Sequence, residues 1–166
     1  MKIYLIRHSN AMDPGTPGYE DDSLRPLTEK GRDKMKAIAS AFKKMDLKPN
    51  LIVSSPYVRA RETAEILAKV LKYKQELIFN DSLIPTGNAD EIIGEINEKY
   101  SVDELVLVGH EPCISALIGT LTVGNPELAI NIKNGGICCL SSDDLHTDRK
   151  AVLEWLLTPK ILSELS

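Results

Sequence analysis

The sequence predicts an α/β fold built on a largely parallel sheet. Three observations carry that expectation. Short apolar runs of strand length stand at residues 2–7 (KIYLIR), 51–54 (LIVS) and 104–108 (ELVLV). Between them lie longer segments whose apolar residues recur at helical spacing. Strands alternating with helices call for crossover connections, and so for parallel pairing. No repeat, low-complexity tract or linker divides the 166 residues, so one domain over 1–166 is expected.

In chain order, 2–7 reads as a buried strand. Residues 8–27 hold Pro14, Gly15, Pro17, Gly18 and Pro26 and an acidic stretch, Glu20 to Asp22. They read as a long loop, a length that is usually functional or disordered. Thr28 is a good helix N-cap, and Met35, Ile38, Phe42 and Met45 follow on one face until Pro49-Asn50. Strand 51–54 runs into Ser55-Pro56, read as a cap with proline at the first helical position, opening a helix to about Leu71. A short strand is expected at 76–79. A helix over about 89–100 carries Ile92, Ile93, Ile96 and Tyr100. Strand 104–108 enters Gly109-His110, and Pro112 opens a helix to about Leu121. After the turn Gly124-Asn125-Pro126, residues 128–132 and 136–140 are expected to pair. Residues 150–156 form a last strand before a short tail.

Composition narrows the function classes. Hydrophobic residues make up 43% and charged residues 27%, so neither disorder nor a fibre is expected. A net charge of −4 lacks the basic footprint of a nucleic-acid partner, yet leaves room for a small anion held by a few arginines. No apolar run approaches the roughly 20 residues a membrane helix needs, and no signal-peptide pattern is present. A cytoplasmic monomer is therefore expected. Cys113, Cys138 and Cys139 are odd in number and include an adjacent pair, so all three read as reduced thiols.

Ligands of open α/β sheets collect beyond the carboxyl ends of the strands. Three strands here end in chemistry: Arg7-His8, then Ser55 with Arg59 one turn on, then Gly109-His110. Two histidines and two arginines thus converge on one rim. Arg59 lies within a turn of a helix N-terminus, where anions bind; Arg61 reads as solvated. Arginine grips phosphate through a bidentate fork, and histidine is a nucleophile or proton carrier at neutral pH. The set suits phosphoryl transfer through a phosphohistidine. A metal site is disfavoured, because His8, His110 and His146 show no ligand spacing and paired arginines repel a cation. Phosphate-loop and nucleophile-elbow motifs are absent. Cys113 has Gly119 where a cysteine phosphatase would place arginine, and reads as packing.

The segments IRHSNA, SSPYVRARETA and VLVGHEP, with RPLTEKG at 25–31, resemble the histidine phosphatase superfamily, which includes the phosphoglycerate mutases. The compact length and EWLLTP at 154–159 look most like its SixA-type phosphohistidine phosphatases. The similarity covers roughly residues 1–159. It implies a three-layer α/β sandwich of phosphoglycerate mutase-like fold without a cap domain. It implies His8 as the nucleophile that becomes phosphorylated, with Arg7 and Arg59 on the phosphoryl oxygens and His110 as the second histidine. Ser9 and Ser55 join the substrate-binding set. Position 9 departs from the family's usual Arg-His-Gly, which implies a site of altered geometry.

The expected reaction needs no cofactor or metal: His8 attacks phosphorus, the arginines and His110 neutralise oxygen charge, and water hydrolyses the intermediate. Asp21, Asp22 and Glu111 are candidate general acids by location only, and a solvated acidic loop is the better reading of the aspartates. A phosphohistidine substrate makes that gap tolerable, because imidazole leaves with a conjugate-acid pKa of about 6.5. A site without a cap also admits a protein-borne substrate. The expected function is therefore a metal-independent phosphatase acting on a phosphohistidine protein. A phosphatase of a small phosphomonoester and an inactive phosphohistidine-binding module are the alternatives.

Overall fold

A computed structural model describes residues 1–143 and 151–166 of the chain. Six strands, β1 (Lys2–Arg7), β2 (Leu51–Ser54), β3 (Ile78–Phe79), β4 (Glu104–Gly109), β5 (Ile137–Ser141) and β6 (Val152–Leu157), form one sheet in the order β3-β2-β4-β1-β5-β6. The first four are mutually parallel; β5 runs antiparallel to both β1 and β6. Five helices flank them: α1 (Glu29–Lys44), α2 (Val58–Leu71), α3 (Ala89–Lys99), α4 (Cys113–Val123) and α5 (Pro159–Glu164). None among the described residues is long and apolar enough to cross a membrane.

Side chains alternate across each strand, and both faces are covered, which is why β1 and β4 read as unbroken apolar runs. Ile3, Leu5, Leu105 and Leu107 pack with Ile92 and Ile96 of α3 and Ile114, Leu117 and Ile118 of α4. Tyr4, Ile6, Val106 and Val108 pack on the other face with Met35, Ile38 and Phe42 of α1, Ala60, Ala64 and Leu67 of α2 and Leu162 of α5. The result is the expected three-layer sandwich with a mostly parallel sheet.

Thr28 caps α1 as predicted, its hydroxyl accepting from the Gly31 N–H at 3.0 Å. Three expectations are corrected. Ser55-Pro56 does not begin α2. The helix starts at Val58 with Tyr57 in the cap position; the Ser55 hydroxyl oxygen accepts from the Tyr57 N–H ahead of the helix and also meets His110. Residues 128–132 form no strand, since both edges of β5 are already occupied by β1 and β6. The C-terminal tail carries a fifth helix, α5, capped by Thr158 with Pro159 at its first position. The expected last strand is β6; Lys150, placed at its start, lies outside the described residues, as does His146.

Candidate active site

The registers Arg7↔Gly109 and Ser54↔Val108 bring the carboxyl ends of β1, β2 and β4 level. The residues just beyond them meet. The His8 and His110 rings lie 4.9 Å apart by centroid, and Tyr57 stacks edge-on to His110 at 5.2 Å. The Arg59 guanidinium carbon sits 5.1 Å from the Tyr57 ring centre. The backbone fixes His8 from two sides: its N–H donates to the Gly109 carbonyl at 3.0 Å, and the Gly135 N–H donates to the carbonyls of Arg7 and His8.

The hydrogen bond of His8 decides its chemistry. Nδ1 lies 2.6 Å from the Ser9 carbonyl oxygen, which only accepts, so Nδ1 carries the proton. In the neutral ring Nε2 is then a lone pair. Burial chiefly, helped by Arg59, Arg7 and Arg25 and opposed by the Ser9 carbonyl, pulls the His8 pKa down to about 4. His8 is therefore neutral at pH 7. His110 is shifted down in the same direction, by burial first and then by His8 and Arg59. Its Nε2 meets the Ser55 hydroxyl at 2.9 Å, and that oxygen also accepts from the Tyr57 N–H.

Arg7 Nη1 donates to the Ile132 carbonyl at 2.7 Å. Arg59, 3% exposed, is held at its far end by Asp22: Nη1 donates to the Asp22 carbonyl at 2.6 Å and Nη2 to its carboxylate at 2.8 Å. The other oxygen of that carboxylate takes Arg25, at 2.6 Å from Nη2. Five buried side-chain polar atoms among the described residues lack a partner. Arg7 Nε, Arg59 Nε and His110 Nδ1 are three of them, and Glu111 Oε1, on the residue after His110, is a fourth. Buried polar groups are normally satisfied, so such a concentration suits a place where a polar ligand binds.

Arg7, His8, Ser55, Arg59 and His110 are thus brought together, as the sequence led one to expect. Ser9 is adjacent but engaged elsewhere: its hydroxyl donates to the Gly31 carbonyl at 2.8 Å and its N–H to Thr63 Oγ1 at 3.1 Å. Neither donor is left for substrate, which corrects its placement in the binding set. Serine is tolerated because position 9 has no left-handed backbone that would demand glycine. The candidate acids separate as well. Asp21 caps the 3-10 turn Asp22–Leu24. For Asp22 burial works against the charge, but the bonds from Arg25 and Arg59 outweigh it and hold the carboxyl below its usual pKa. Glu111 accepts from the Ser115 hydroxyl through Oε2. Arg61 is half-exposed and faces Glu65 at 3.6 Å, away from the cluster. Cys113, Cys138 and Cys139 are free and buried, and burial pushes the Cys113 thiol up to about 11.

Sequence reasoning missed Arg25, Tyr57 and Thr63. Thr63 was detectable: it stands four residues after Arg59, one helical turn on, and its hydroxyl donates to the Arg59 carbonyl at 2.7 Å. Arg25 lay inside the quoted 25–31 segment, three residues from Asp22, with no signal for its partner.

Known proteins give this rim a lineage. An uncharacterized protein of Picosynechococcus sp. is 32% identical over 167 residues, spanning 95% of this chain and 99% of that protein. Phosphohistidine phosphatase SixA of Escherichia coli is 24% identical over 162 residues, 96% and 94% of the two chains. Among solved structures, the protein histidine phosphatase SixA complexed with tungstate superposes with a TM-score of 0.85 at 22% identity, covering 98% of this chain and 99% of its own. The alpha-ribazole phosphatase from Shigella flexneri gives 0.78 at 17% identity, covering 96% and 97%. At those identities the two likenesses establish the fold, which is phosphoglycerate mutase-like. The model of the histidine phosphatase superfamily (branch 1) matches residues 3–84, the stretch that supplies Arg7, His8, Ser55 and Arg59. With a full-length relative and a family match that begins on the strand leading to His8, the chain belongs to the histidine phosphatase superfamily.

Proposed function

We propose that the chain is a phosphatase that removes the phosphoryl group from a protein-borne phosphohistidine through a covalent intermediate on His8. The observation that carries this reading is the tautomer of His8: a proton fixed on Nδ1 by the Ser9 carbonyl leaves Nε2 as a ready nucleophile. Nε2 attacks phosphorus in line as the bond to the substrate's imidazole breaks. The unpaired Nε–H groups of Arg7 and Arg59 suit the phosphoryl oxygens, whose charge they stabilise, and His110 Nδ1 joins them as a donor in the tautomer whose Nε2 accepts from the Ser55 hydroxyl. Water then cleaves the phosphorus–nitrogen bond on His8, releasing phosphate and restoring the neutral ring. The guanidinium groups supply the positive charge that a metal supplies elsewhere.

The leaving group agrees with the carboxylates at hand. Asp22 is ionised and held by two arginines, so it has no proton to give. Imidazole, with a conjugate-acid pKa of about 6.5, asks for less protonation than an alkoxide. The E. coli relative named for phosphohistidine supports the same substrate class. One observation favours the second reading, a small phosphomonoester. Glu111 Oε1 is buried without a partner beside His110, a place for a general acid that an alkoxide would require. The test compares turnover of a phosphohistidine protein with that of sugar phosphates, in wild type and Glu111→Gln. The proposal expects the phosphohistidine protein to be preferred and the variant to hydrolyse it well. A preference for sugar phosphates, lost in the variant, would transfer the assignment to the second reading.

A further inference from the structure

We infer that Lys34, together with Asn10, forms a second anion subsite beside the phosphoryl pocket, which receives a carboxylate side chain neighbouring the phosphohistidine on the substrate protein. This rests on the phosphatase reading above and narrows its substrate class. Lys34 lies on the second turn of α1 and is half-buried. Its Nζ donates to Asn10 Oδ1 at 2.9 Å, two residues beyond His8. Its stem passes Gly135: a Cβ there would lie 3.6 Å from Lys34 Cε, and the Gly135 N–H is the group that ties the Arg7 and His8 carbonyls. The ammonium therefore stands at the edge of the pocket.

Charge balance points the same way. Arg25 and Arg59 share the Asp22 carboxylate, and Arg32 has Glu62. Arg7, Lys30 and Lys34 form no ion pair among the described residues. Asp33, the acidic neighbour of Lys34, is turned to Lys36 at 2.8 Å. Lys34 spends one of its three donors on a neutral amide and keeps two. Burial first, then Lys30 and Arg7, lower its pKa, the mark of a cation placed where it lacks an anion. The two halves of the rim thus differ: Arg25 and Arg59 have a carboxylate between them, and Lys34 and Arg7 have none among the described residues.

The experiment uses phosphohistidine peptides that differ only in a glutamate or glutamine beside the phosphohistidine. The wild type is expected to favour the glutamate peptide by about fivefold in kcat/KM, the scale of one partly exposed ion pair. The preference should vanish in Lys34→Gln, reverse in Lys34→Glu and survive in Lys34→Arg. Equal ratios in all four proteins overturn the subsite. Competition by inorganic phosphate and by phosphoglycolate gives an independent reading. Lys34→Gln should erase the advantage of phosphoglycolate over phosphate, and an advantage left intact also overturns it. If the wild type binds phosphate but turns over neither peptide, the phosphohistidine assignment fails while the inhibitor pair still decides the subsite. If it binds neither phosphate nor phosphoglycolate, both readings fall.

Discussion

Arg59 and Arg61 stand two residues apart and roughly 200° apart around α2, and they are expected to behave oppositely. Lysine at 59 keeps a charge and loses the fork, together with one or both bonds to Asp22. Arg59→Lys should therefore weaken vanadate inhibition and lower kcat strongly, while Arg61→Lys leaves both near wild type; a damaging Arg61→Lys would mean the wrong arginine has been placed on phosphate. His8→Ala should abolish acid-labile, base-stable phosphate on the protein after exposure to phosphoramidate. Retention of that phosphate would move the nucleophile elsewhere. Ser9→Gly removes the bond to the Gly31 carbonyl and adds backbone freedom, so a loss of about 1–2 kcal/mol of stability is expected with activity nearly kept. A fall in kcat on the order of 10²-fold would bring the Ser9 hydroxyl into the chemistry. The cluster itself was legible because Arg7, His8, Arg59 and His110 each follow an apolar strand. Asp22 and Arg25 were not, because a loop residue's partner is set by how the loop folds back, which no periodicity encodes.

Among the elements, α1 shows how a loop-to-helix entry is locked. Leu27 donates its N–H to Glu62 of α2, Thr28 caps the helix, and Gly31 packs against the backbone of Asn10. A methyl group at 31 would come within 2.0 Å of the Asn10 carbonyl oxygen. Gly31→Ala is therefore expected to cost stability well beyond helix propensity, which alone would favour alanine by about 1 kcal/mol. It should also shift Ser9 and with it His8. Urea melts with phosphoramidate turnover on the same samples would show it; a stabilised, fully active variant would contradict the packing. Strands and helices with strong periodicity were readable, since burial on a fixed face writes itself into spacing. The start of α2 was misread because Ser55-Pro56 has the local chemistry of a cap; the Ser55 oxygen does accept a backbone N–H, that of Tyr57, but it does so ahead of the helix and shares the hydroxyl with a tertiary partner, His110. Residues 128–132 have the composition of a strand but no free sheet edge to join, and edge availability is a property of the whole sheet.

For the whole molecule, the depressed histidines make stability depend on pH. His8 titrates at about 4 when folded and near 6.5 when unfolded. Between those values the unfolded chain binds more protons, so stability is complete above the unfolded pKa and falls as pH drops toward 4. His110 adds in the same direction. His8 alone contributes up to about 3 kcal/mol, and denaturant midpoints at pH 7.5, 6 and 5 should fall in that order. A flat profile would mean that neither ring is held neutral by its surroundings. The strand registers carry a further consequence, for folding. Residues 7–8, 55–59 and 110 come together only when β1, β2 and β4 have found their pairing across long stretches of chain, and a one-residue slip in any of them turns its end away. No fragment holds the anion pocket, so an anion such as vanadate should bind the native state alone. At a concentration of 100 times its dissociation constant it should add about 2.7 kcal/mol, raising the melting temperature by roughly 5–11 °C for a domain of this size. Bound anion thus becomes a reporter of completed pairing: during refolding, vanadate binding should recover no earlier than the joining of β1, β2 and β4, and binding recovered before those strands are protected from hydrogen exchange would contradict it.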